Sequence, residues 1–348
     1  MRCSPMAAAC ITYSRKKGND VYLKSLKKGA LALCIALGLP GAAGAAGAAD
    51  DYPSRPLNIF VPTAPGGTVD IVARIMAEKL APVLGQPVVV VNKPGAGGVV
   101  GTQAFLREPA DGYTVLFTAN SNQLIVPWVY PDAKFDPIAD FAPIAAVGQV
   151  PNVLCVNPSF PARDLQEFMA LAKANPDQYE YASAGAGTLN HLLGEMLNER
   201  GGLRLRHIPY RGVAPAMSDV LGNQVPMLFA SLPSALESIK AGKLRALGVS
   251  SEARSPLLPD VPAINEAVPG FSGDLWVAFY AARQAPPATV EALHAAIRQV
   301  MADPALRQKF DQLGVAMMND GPAELARRQQ AEFQQWKQVV QASGATSD

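Results

Sequence analysis

Short apolar runs alternate with segments of helical periodicity from about residue 57 onward, and this alternation constrains the fold more than any other feature. The run Leu57–Val61 is followed by a segment, 68–84, whose apolar residues recur at helical spacing. Such alternation predicts an α/β fold with mostly parallel sheets, and the continuous valines of 88–91 favour a strand covered on both faces. Further strands are expected at Tyr113–Phe117, Val153–Val156, Glu180–Ala182, Arg206–Ile208, Met227–Phe229 and Arg245–Val249, and further helices near 164–175, 188–199, 213–222, 233–241 and from about 287 onward.

The first 49 residues have a different character from the rest. A basic start is followed by the apolar run Gly29–Leu39 and then by the Ala- and Gly-rich tract Gly41–Ala49. This three-part pattern is typical of a secretory signal peptide, and the apolar run is shorter than the roughly 20 residues that span a bilayer. We therefore expect residues 1–49 to be removed, with cleavage near Ala48 or Ala49, and the protein to be exported to the periplasm.

Removal of this leader changes the charge and the cysteine content. The formal net charge of the whole chain is +1, but seven of its 30 basic residues and one of its 29 acidic residues lie before residue 50. The remaining 23 basic and 28 acidic residues give a net charge of −5. Neither balance favours nucleic acid as a partner. Cys155 alone remains, in a strand-like run, so we expect no internal disulfide and a small buried side chain there.

The first glycine-rich loop follows the first predicted strand. Gly66 and Gly67 allow a tight turn without a Cβ that would obstruct an approaching ligand, and a helix is expected to begin at Thr68. A helix start exposes unpaired N–H groups and the positive end of the helix dipole, which together favour an anion. Asp70 and Arg74 are four residues apart and are expected to pair. A plain turn before a capped helix is the alternative interpretation.

A second strand–loop–helix segment, Tyr181–His191, repeats this arrangement more than a hundred residues later. The hydroxyl groups of Ser183 and Thr188 lie beside the expected helix start. Two such loops suggest one ligand site at an interface between domains. His191 and Glu195 fall on the helix face opposite the apolar stripe, where a lone histidine is more often a surface or packing residue. We expect no metal, because no set of ligands with metal-site spacing accompanies them.

The third glycine-rich segment, Asn92–Gly101, fails as a dinucleotide fingerprint. Gly95 and Gly97 would require a glycine at the position of Val100, and Asp111 precedes the next strand instead of ending it. We interpret this segment as a turn with close backbone packing. The chain also contains no GxSxG elbow, no P-loop and no HExxH motif, and it has three histidines. The sequence therefore predicts a protein that binds without catalysis and without a cofactor.

Five motifs resemble those of a known family. Through these motifs, which occur in the family's order, the chain resembles the Bug family of extracytoplasmic solute receptors. Members of that family are the binding components of tripartite tricarboxylate transporters. The resemblance covers about residues 52–342, and the motifs that carry it are Pro65–Arg74 (PGGxxDxxAR), Val89–Gly98 (VVxNxPGAGG), Ala110–Leu116 (ADGYTxL), His207–Ala216 (HVPYKGxxPA) and Gly242–Ser250 (GKLRALAVT).

The resemblance implies a type II periplasmic binding protein fold, in which two α/β lobes close over a ligand cleft. Residues 50–153 with 277–348 would form lobe 1, and residues 154–276 would form lobe 2. One carboxylate of a small organic acid would be held by the two glycine loops, partly through ordered water, with 118–122 as a third wall. The ligand-binding residues expected on this basis are Thr63, Pro65, Gly66, Gly67, Thr68, Asn120, Ser121, Ser183, Gly185, Gly187, Thr188 and His191.

The resemblance also implies the partners. A monomeric receptor would deliver its ligand to the membrane subunits of a transporter. An exported carboxylate sensor that signals to a membrane partner is one alternative, and an exported α/β enzyme is another. Family members often have an aromatic residue where this chain has Thr63, and many have an Asp-Asn pair where it has Ala230 and Ser231. Both differences bear on the distal part of the pocket and hence on which acid binds.

Overall fold

The computed structural model of the protein describes residues 52–130 and 132–345, so the predicted leader of residues 1–49 lies outside the described residues. The strands in this part of the chain are β1 (Leu57–Val61), β2 (Val88–Asn92), β3 (Thr114–Ala119), β4 (Phe141–Val150), β5 (Asn152–Val156), β6 (Glu180–Ser183), β7 (Arg206–Pro209), β8 (Met227–Ser231), β9 (Arg245–Val249), β10 (Leu275–Ala282) and β11 (Ala316–Met317). The α-helices are α1 (Thr68–Leu84), α2 (Val99–Phe105), α3 (Val126–Val129), α4 (Leu165–Ala174), α5 (Leu189–Gly201), α6 (Val213–Leu221), α7 (Leu232–Lys240), α8 (Pro287–Met301), α9 (Pro304–Leu313) and α10 (Pro322–Ser343).

These strands form two sheets. The first has the strand order β11-β4-β10-β3-β1-β2, and the second has the order β7-β6-β8-β5-β9. The predicted α/β class is confirmed, and both sheets are mixed, with most strands of each sheet running in one direction and the others opposite to it. β1 is parallel to β2 and β3, and β6 is parallel to β7 and β8, whereas β10 and β5 are antiparallel to both of their neighbours.

β5 and β10, which are antiparallel to both of their neighbours, each follow a crossing between the sheets. The chain leaves the first sheet through Pro151, and β5 begins beside the last residues of β8 and β9. It returns between β9 and β10, and β10 begins beside the ends of β3 and β4. A strand that enters at the edge facing the other sheet must run opposite to the strands that end there. The carboxyl ends of β1, β3, β6, β7 and β8 therefore meet around one space, which is the usual place for a ligand in α/β proteins.

Most predicted elements are present, and α1 has the predicted bounds, 68–84. The prediction that the strand at 88–91 is covered on both faces is wrong. β2 is an edge strand, and 47% of Val89 is exposed to solvent. β4 and β10 were not predicted from the sequence, although β10 is buried along its whole length.

Buried apolar residues form two clusters that lie on opposite faces of β5. Leu154 and Val156 belong to the larger cluster, which extends through the first sheet, and Val153 and Cys155 belong to the smaller one beside α6 and α7. Cys155 is a free, fully buried thiol, as predicted, and burial raises its pKa to about 12. Among the described helices, none is both long and apolar enough to cross a bilayer.

Candidate ligand-binding site

A cavity of about 280 Å³ lies where the strands of both sheets end. Its wall comes from the loops after β1, β2, β6 and β7 and from the residues at the ends of β3 and β8. The lining residues are Pro62, Thr63, Ala64, Gly67, Thr68, Val69, Pro94, Gly95, Ala96, Gly97, Gly98, Ala119, Ser121, Asn122, Tyr130, Ala184, Gly185, Ala186, Thr188, Asn190, Pro209, Tyr210, Arg211, Gly212, Val213, Ser231 and Leu275.

The start of α1 supplies the first group of donors. Gly67 is the N-cap residue, with an extended backbone and no side chain to cap the helix, and Thr68 is buried at the cavity wall. The N–H groups of a first helical turn have no partner within the helix, so here they are available to a ligand. Gly67 and Thr68 both lie at the N-terminal end of α1, where the helix dipole favours an anion.

Asp70 is the only acidic residue in the first turn of α1, and its carboxylate is already engaged. It forms a 2.9 Å ion pair with Arg74, as predicted, and accepts hydrogen bonds from the Gly66 N–H at 2.9 Å and from Asn92 Nδ2 at 3.0 Å. Burial acts to raise the pKa of Asp70, but these hydrogen bonds outweigh it and the pKa is lowered. The carboxylate thus fixes the Gly66 turn and does not line the cavity.

The start of α5 supplies a second group of donors. Gly185 and Gly187 have φ values of +132° and +72°, which L side chains rarely adopt, so glycine is required for this tight loop. The Thr188 hydroxyl donates to the Gly185 carbonyl at 2.7 Å and leaves the first turn of α5 without a side-chain cap. Asn190, in that first turn, also lines the cavity.

Two further helices begin at the cavity. α6 starts after Gly212 and α7 starts after Ser231, and neither has a side-chain cap. Elsewhere in the described chain, α4 and α9 are capped by Asp164 and Asp303, whereas α8 and α10 have no side-chain cap. Four uncapped helix starts, those of α1, α5, α6 and α7, therefore converge on one space.

The electrostatic character of the wall matches these donors. The lining in the described part of the chain contains no carboxylate, and Arg211 is its one fixed charge. The Thr63 hydroxyl oxygen is buried and has no hydrogen-bond partner among the described residues. No group of three or more His, Cys, Asp or Glu side chains that could hold a metal ion occurs in residues 52–130 and 132–345. The arrangement suits an anion bound mainly by backbone amides.

A stacked pair of histidines outside the cavity lining supports the loop before α5. The rings of His191 and His207 are 3.9 Å apart between centroids and nearly parallel. His191 Nδ1 accepts a hydrogen bond from the Gly187 N–H at 3.1 Å, and His207 Nε2 lies 2.6 Å from Ser183 Oγ. Burial lowers the pKa of His191 to about 4, and burial together with His191 lowers the pKa of His207 to about 3. Both rings are therefore uncharged at neutral pH.

Acid should destabilise the protein through these two rings. An unfolded histidine has a pKa of about 6.5, so the unfolded chain binds more protons than the native one between that value and pH 4. The free energy of unfolding should be highest above about pH 6.5 and should fall as the pH is lowered. Urea unfolding between pH 7 and 4, with NMR of the imidazole nitrogens, checks this. Two rings that charge near pH 6.5 in the native protein would contradict it.

The predicted ligand-binding residues fall into two groups in the structure. Thr63, Gly67, Thr68, Ser121, Gly185 and Thr188 line the cavity, whereas Pro65, Gly66, Asn120, Ser183, Gly187 and His191 do not. Most of the second group make contacts outside the lining: the Gly66 N–H donates to Asp70, Asn120 Nδ2 donates to the Asp274 carbonyl at 3.2 Å, and Ser183 and Gly187 contact the histidine pair.

One wall of the cavity was not predicted from the sequence. The segment 94–98, interpreted above as a packing turn, lines the cavity, and so do Asn122 and Tyr130. Gly97 has a φ of +60°, and a Cβ there would lie 3.0 Å from the Ala186 carbonyl on the opposite side. The signal was present in the repeated glycines of Asn92–Gly101, but only the fold places them opposite the loop before α5.

Comparison with known proteins gives consistent matches over most of the chain. A family model described as "Tripartite tricarboxylate transporter family receptor" matches residues 72–345. BugT of Bordetella pertussis is 37% identical over 299 residues, which cover 85% of this chain and 92% of BugT. The solved structure of the periplasmic binding protein BugD is 36% identical with a TM-score of 0.81, and that of R. palustris Rpa4515 with adipate is 29% identical with a TM-score of 0.82. Each alignment covers 85% of this chain and 99% of the chain in the solved structure.

Proposed function

Because the chain belongs to the family of tripartite tricarboxylate transporter receptors, we propose that it captures a small organic carboxylate in the periplasm and delivers it to a membrane transporter. The Bug family resemblance seen in the five sequence motifs is confirmed. Members of this family are solute-binding receptors and not enzymes. The mechanism is therefore capture and release of an unchanged ligand.

The convergence of four uncapped helix starts on a cavity without carboxylates is the observation that carries this proposal. A hydrogen bond to a charged group contributes about 1.5–3 kcal/mol, so a few amides suffice for tight binding of a carboxylate. The overall charge of −5 after leader removal repels anions weakly. Local dipoles must therefore provide the attraction, and helix starts provide it without a buried lysine or arginine.

The contribution of both sheets to the cavity supports the proposal that two lobes close over the ligand. Thr68 Oγ1, on the helix that follows β1, lies 2.5 Å from Ser231 Oγ at the end of β8. A ligand bound by α1 and α5 contacts both sides only when they are close together. It thus favours the closed arrangement by its differential affinity for the two states. In this proposal lobe 1 contains residues 50–153 and 277–348, and lobe 2 contains residues 154–276.

The leader pattern and the relatives support a location outside the cytoplasm. The relative BugD is a periplasmic binding protein, and residues 1–49 of this chain carry the three-part pattern of a secretory leader. Export with cleavage near Ala48 or Ala49 would place the monomeric receptor where a transporter collects its ligand.

Native mass spectrometry of the protein purified from cells tests the proposed function. We expect a retained small acid whose mass disappears after unfolding and refolding, and whose readdition raises the melting temperature. A screen of mono-, di- and tricarboxylates with matched primary amides as neutral controls should then give stabilisation by acids alone. Stabilisation by the amides to the same degree, or a bound molecule that is turned over to a product, would contradict the proposal.

A further inference from the structure

Two segments of the described chain carry it from one sheet to the other, and they lie side by side. The first crossing is Pro151, between β4 and β5, and the second is residues 250–274, between β9 and β10. Any rotation of one sheet against the other must be absorbed by backbone dihedral angles in these crossings. The contacts that join the two crossings therefore determine how the sheets can move.

The side chain of Ser250 joins the two crossings. Ser250 is the last residue of the motif Gly242–Ser250, to which the proposed function gives no role, and it is fully buried. Its Oγ accepts a hydrogen bond at 2.8 Å from the N–H of Asn152, which directly follows the first crossing. The same hydroxyl donates to the Gly273 carbonyl at 2.7 Å. One hydroxyl thus connects the start of β5 with both ends of the second crossing.

Backbone hydrogen bonds at the same place close the long second crossing at its base. The Ser250 N–H donates to the Asn152 carbonyl at 2.8 Å, and the Gly273 N–H donates to the Ser250 carbonyl at 3.2 Å. The residues between Ser250 and Gly273 therefore form a loop to one side, and the path from β9 to β10 runs directly from Ser250 to Gly273. An open segment of this length would leave the sheets free to twist as well as to close.

Further hydrogen bonds connect this junction to the first sheet and to the cavity. Asp274 Oδ2, at the end of the second crossing, accepts a 2.9 Å hydrogen bond from Gln149 Nε2 on β4. Asn152 Oδ1 accepts a 2.8 Å hydrogen bond from Nδ2 of Asn190, which lies in the first turn of α5 and lines the cavity. A continuous series of contacts thus runs from the cavity wall through Asn152 and Ser250 to the first sheet.

We propose that the Ser250 hydroxyl couples the two crossings into a single hinge, so that the sheets rotate about one axis and the cavity opens and closes without twisting. This inference rests on the proposed function, because it assumes that the two sheets close over a ligand. Ser250 is a positioning residue in this role, since it is not among the residues that line the cavity and acts through Asn152 and Gly273. Removal of its hydroxyl leaves a buried N–H and a buried carbonyl without this partner, at the point where the chain changes sheets.

Distances between two spin labels, measured by double electron–electron resonance after removal of bound ligand, test this hinge. Glu78 on α1 and Ser218 on α6 are exposed, lie on helices that follow strands of different sheets, and are each replaced by cysteine for labelling. Cys155 is fully buried and does not compete for the label. We expect Ser250→Ala to broaden the distance distribution, with new distances on both sides of the wild-type maximum. Ser250→Thr, which keeps the hydroxyl and has the residue of the family motif, should show the wild-type width.

Ser255→Ala is the matched control. Ser255 is also a buried serine whose Oγ accepts a backbone hydrogen bond, from the Leu257 N–H at 3.3 Å, but it lies within the loop and away from Gly273 and Asn152. This variant should keep the wild-type distribution. Gln149→Ala, which removes the bond to Asp274, should broaden the distribution less than Ser250→Ala does, and it provides the test if Ser250→Ala fails to fold.

The results separate the hinge from the proposed function. Wild-type widths in both Ser250→Ala and Gln149→Ala, or equal broadening in Ser255→Ala, would overturn the role of Ser250, and the receptor function would stand. A wild-type protein that binds none of the carboxylates in the screen would overturn the receptor function, whereas the widths of the distance distributions would still decide the role of Ser250.

Discussion

Replacement of Thr68 by proline should weaken carboxylate binding by about ten- to a hundredfold without disturbing the fold, because it removes one charge-assisted hydrogen bond. Thr68 is the first residue of α1, a position at which proline is well tolerated because the helix does not use that N–H. Proline also requires an extended conformation of the residue before it, and Gly67 already has φ −83° and ψ 167°. The substitution thus deletes a donor at the cavity wall and little else in the backbone.

The hydroxyl of Thr68 needs a separate control, since proline removes it as well. Thr68→Val keeps the N–H and the shape but loses the contacts to Ser231 Oγ at 2.5 Å and Ser234 Oγ at 3.2 Å. Titration calorimetry of both variants with the retained acid should show a clearly larger loss for proline. Equal losses in the two variants would assign the effect to the hydroxyl, and wild-type affinity in the proline variant would refute amide recognition.

Replacement of Gly194 by alanine should lower the free energy of unfolding by about 3 kcal/mol, through overpacking of a rigid core site. A Cβ at this position in α5 would lie 2.1 Å from Tyr181 Cζ. The Tyr181 ring is fully buried, and its hydroxyl donates to Glu195 Oε1 at 2.6 Å and lies 3.1 Å from the His191 carbonyl oxygen. The ring has no room to move, so α5 must shift away from β6. Urea unfolding measures the loss.

Gly201→Ala in the same helix is the matched control. Its Cβ would lie 2.9 Å from Met169 Cε, the end of a flexible side chain that can move aside. We expect a change within about 1 kcal/mol of the wild type, because alanine is also the better helix former. Similar destabilisation by both substitutions would show that the contact with Tyr181 is not the cause.

The predictable parts of this fold are those set by neighbours in the sequence. The bounds of α1 follow from Gly67 before it and from Gly85, which adopts the left-handed conformation after it. The parts that were missed depend on distant partners. The exposure of β2 arises because no strand pairs beyond it, and the mixed direction of the sheets arises because β5 and β10 follow crossings between them. Neither feature can be predicted from a local sequence pattern.

The site divides in the same way. The loops before α1 and α5 were identifiable because a strand, glycines and a helix start follow one another within about ten residues. The role of His191 could not be identified in this way. Its ring stacks on His207, which lies on β7, and supports the loop before α5 from behind the cavity wall. Arg211 was not singled out either, because only the fold shows that it is the one charged residue of a cavity lining that contains no carboxylate in the described chain.

A crystal structure of the protein with the acid identified by mass spectrometry is the most direct test of the central claim. We expect a carboxylate at the deep end of the cavity, with its oxygens bound directly or through one ordered water to first-turn N–H groups of α1 and α5. The carboxylate should contact residues from both sheets. A ligand whose carboxylate points away from these helix starts, or whose deep end is uncharged, would contradict the account.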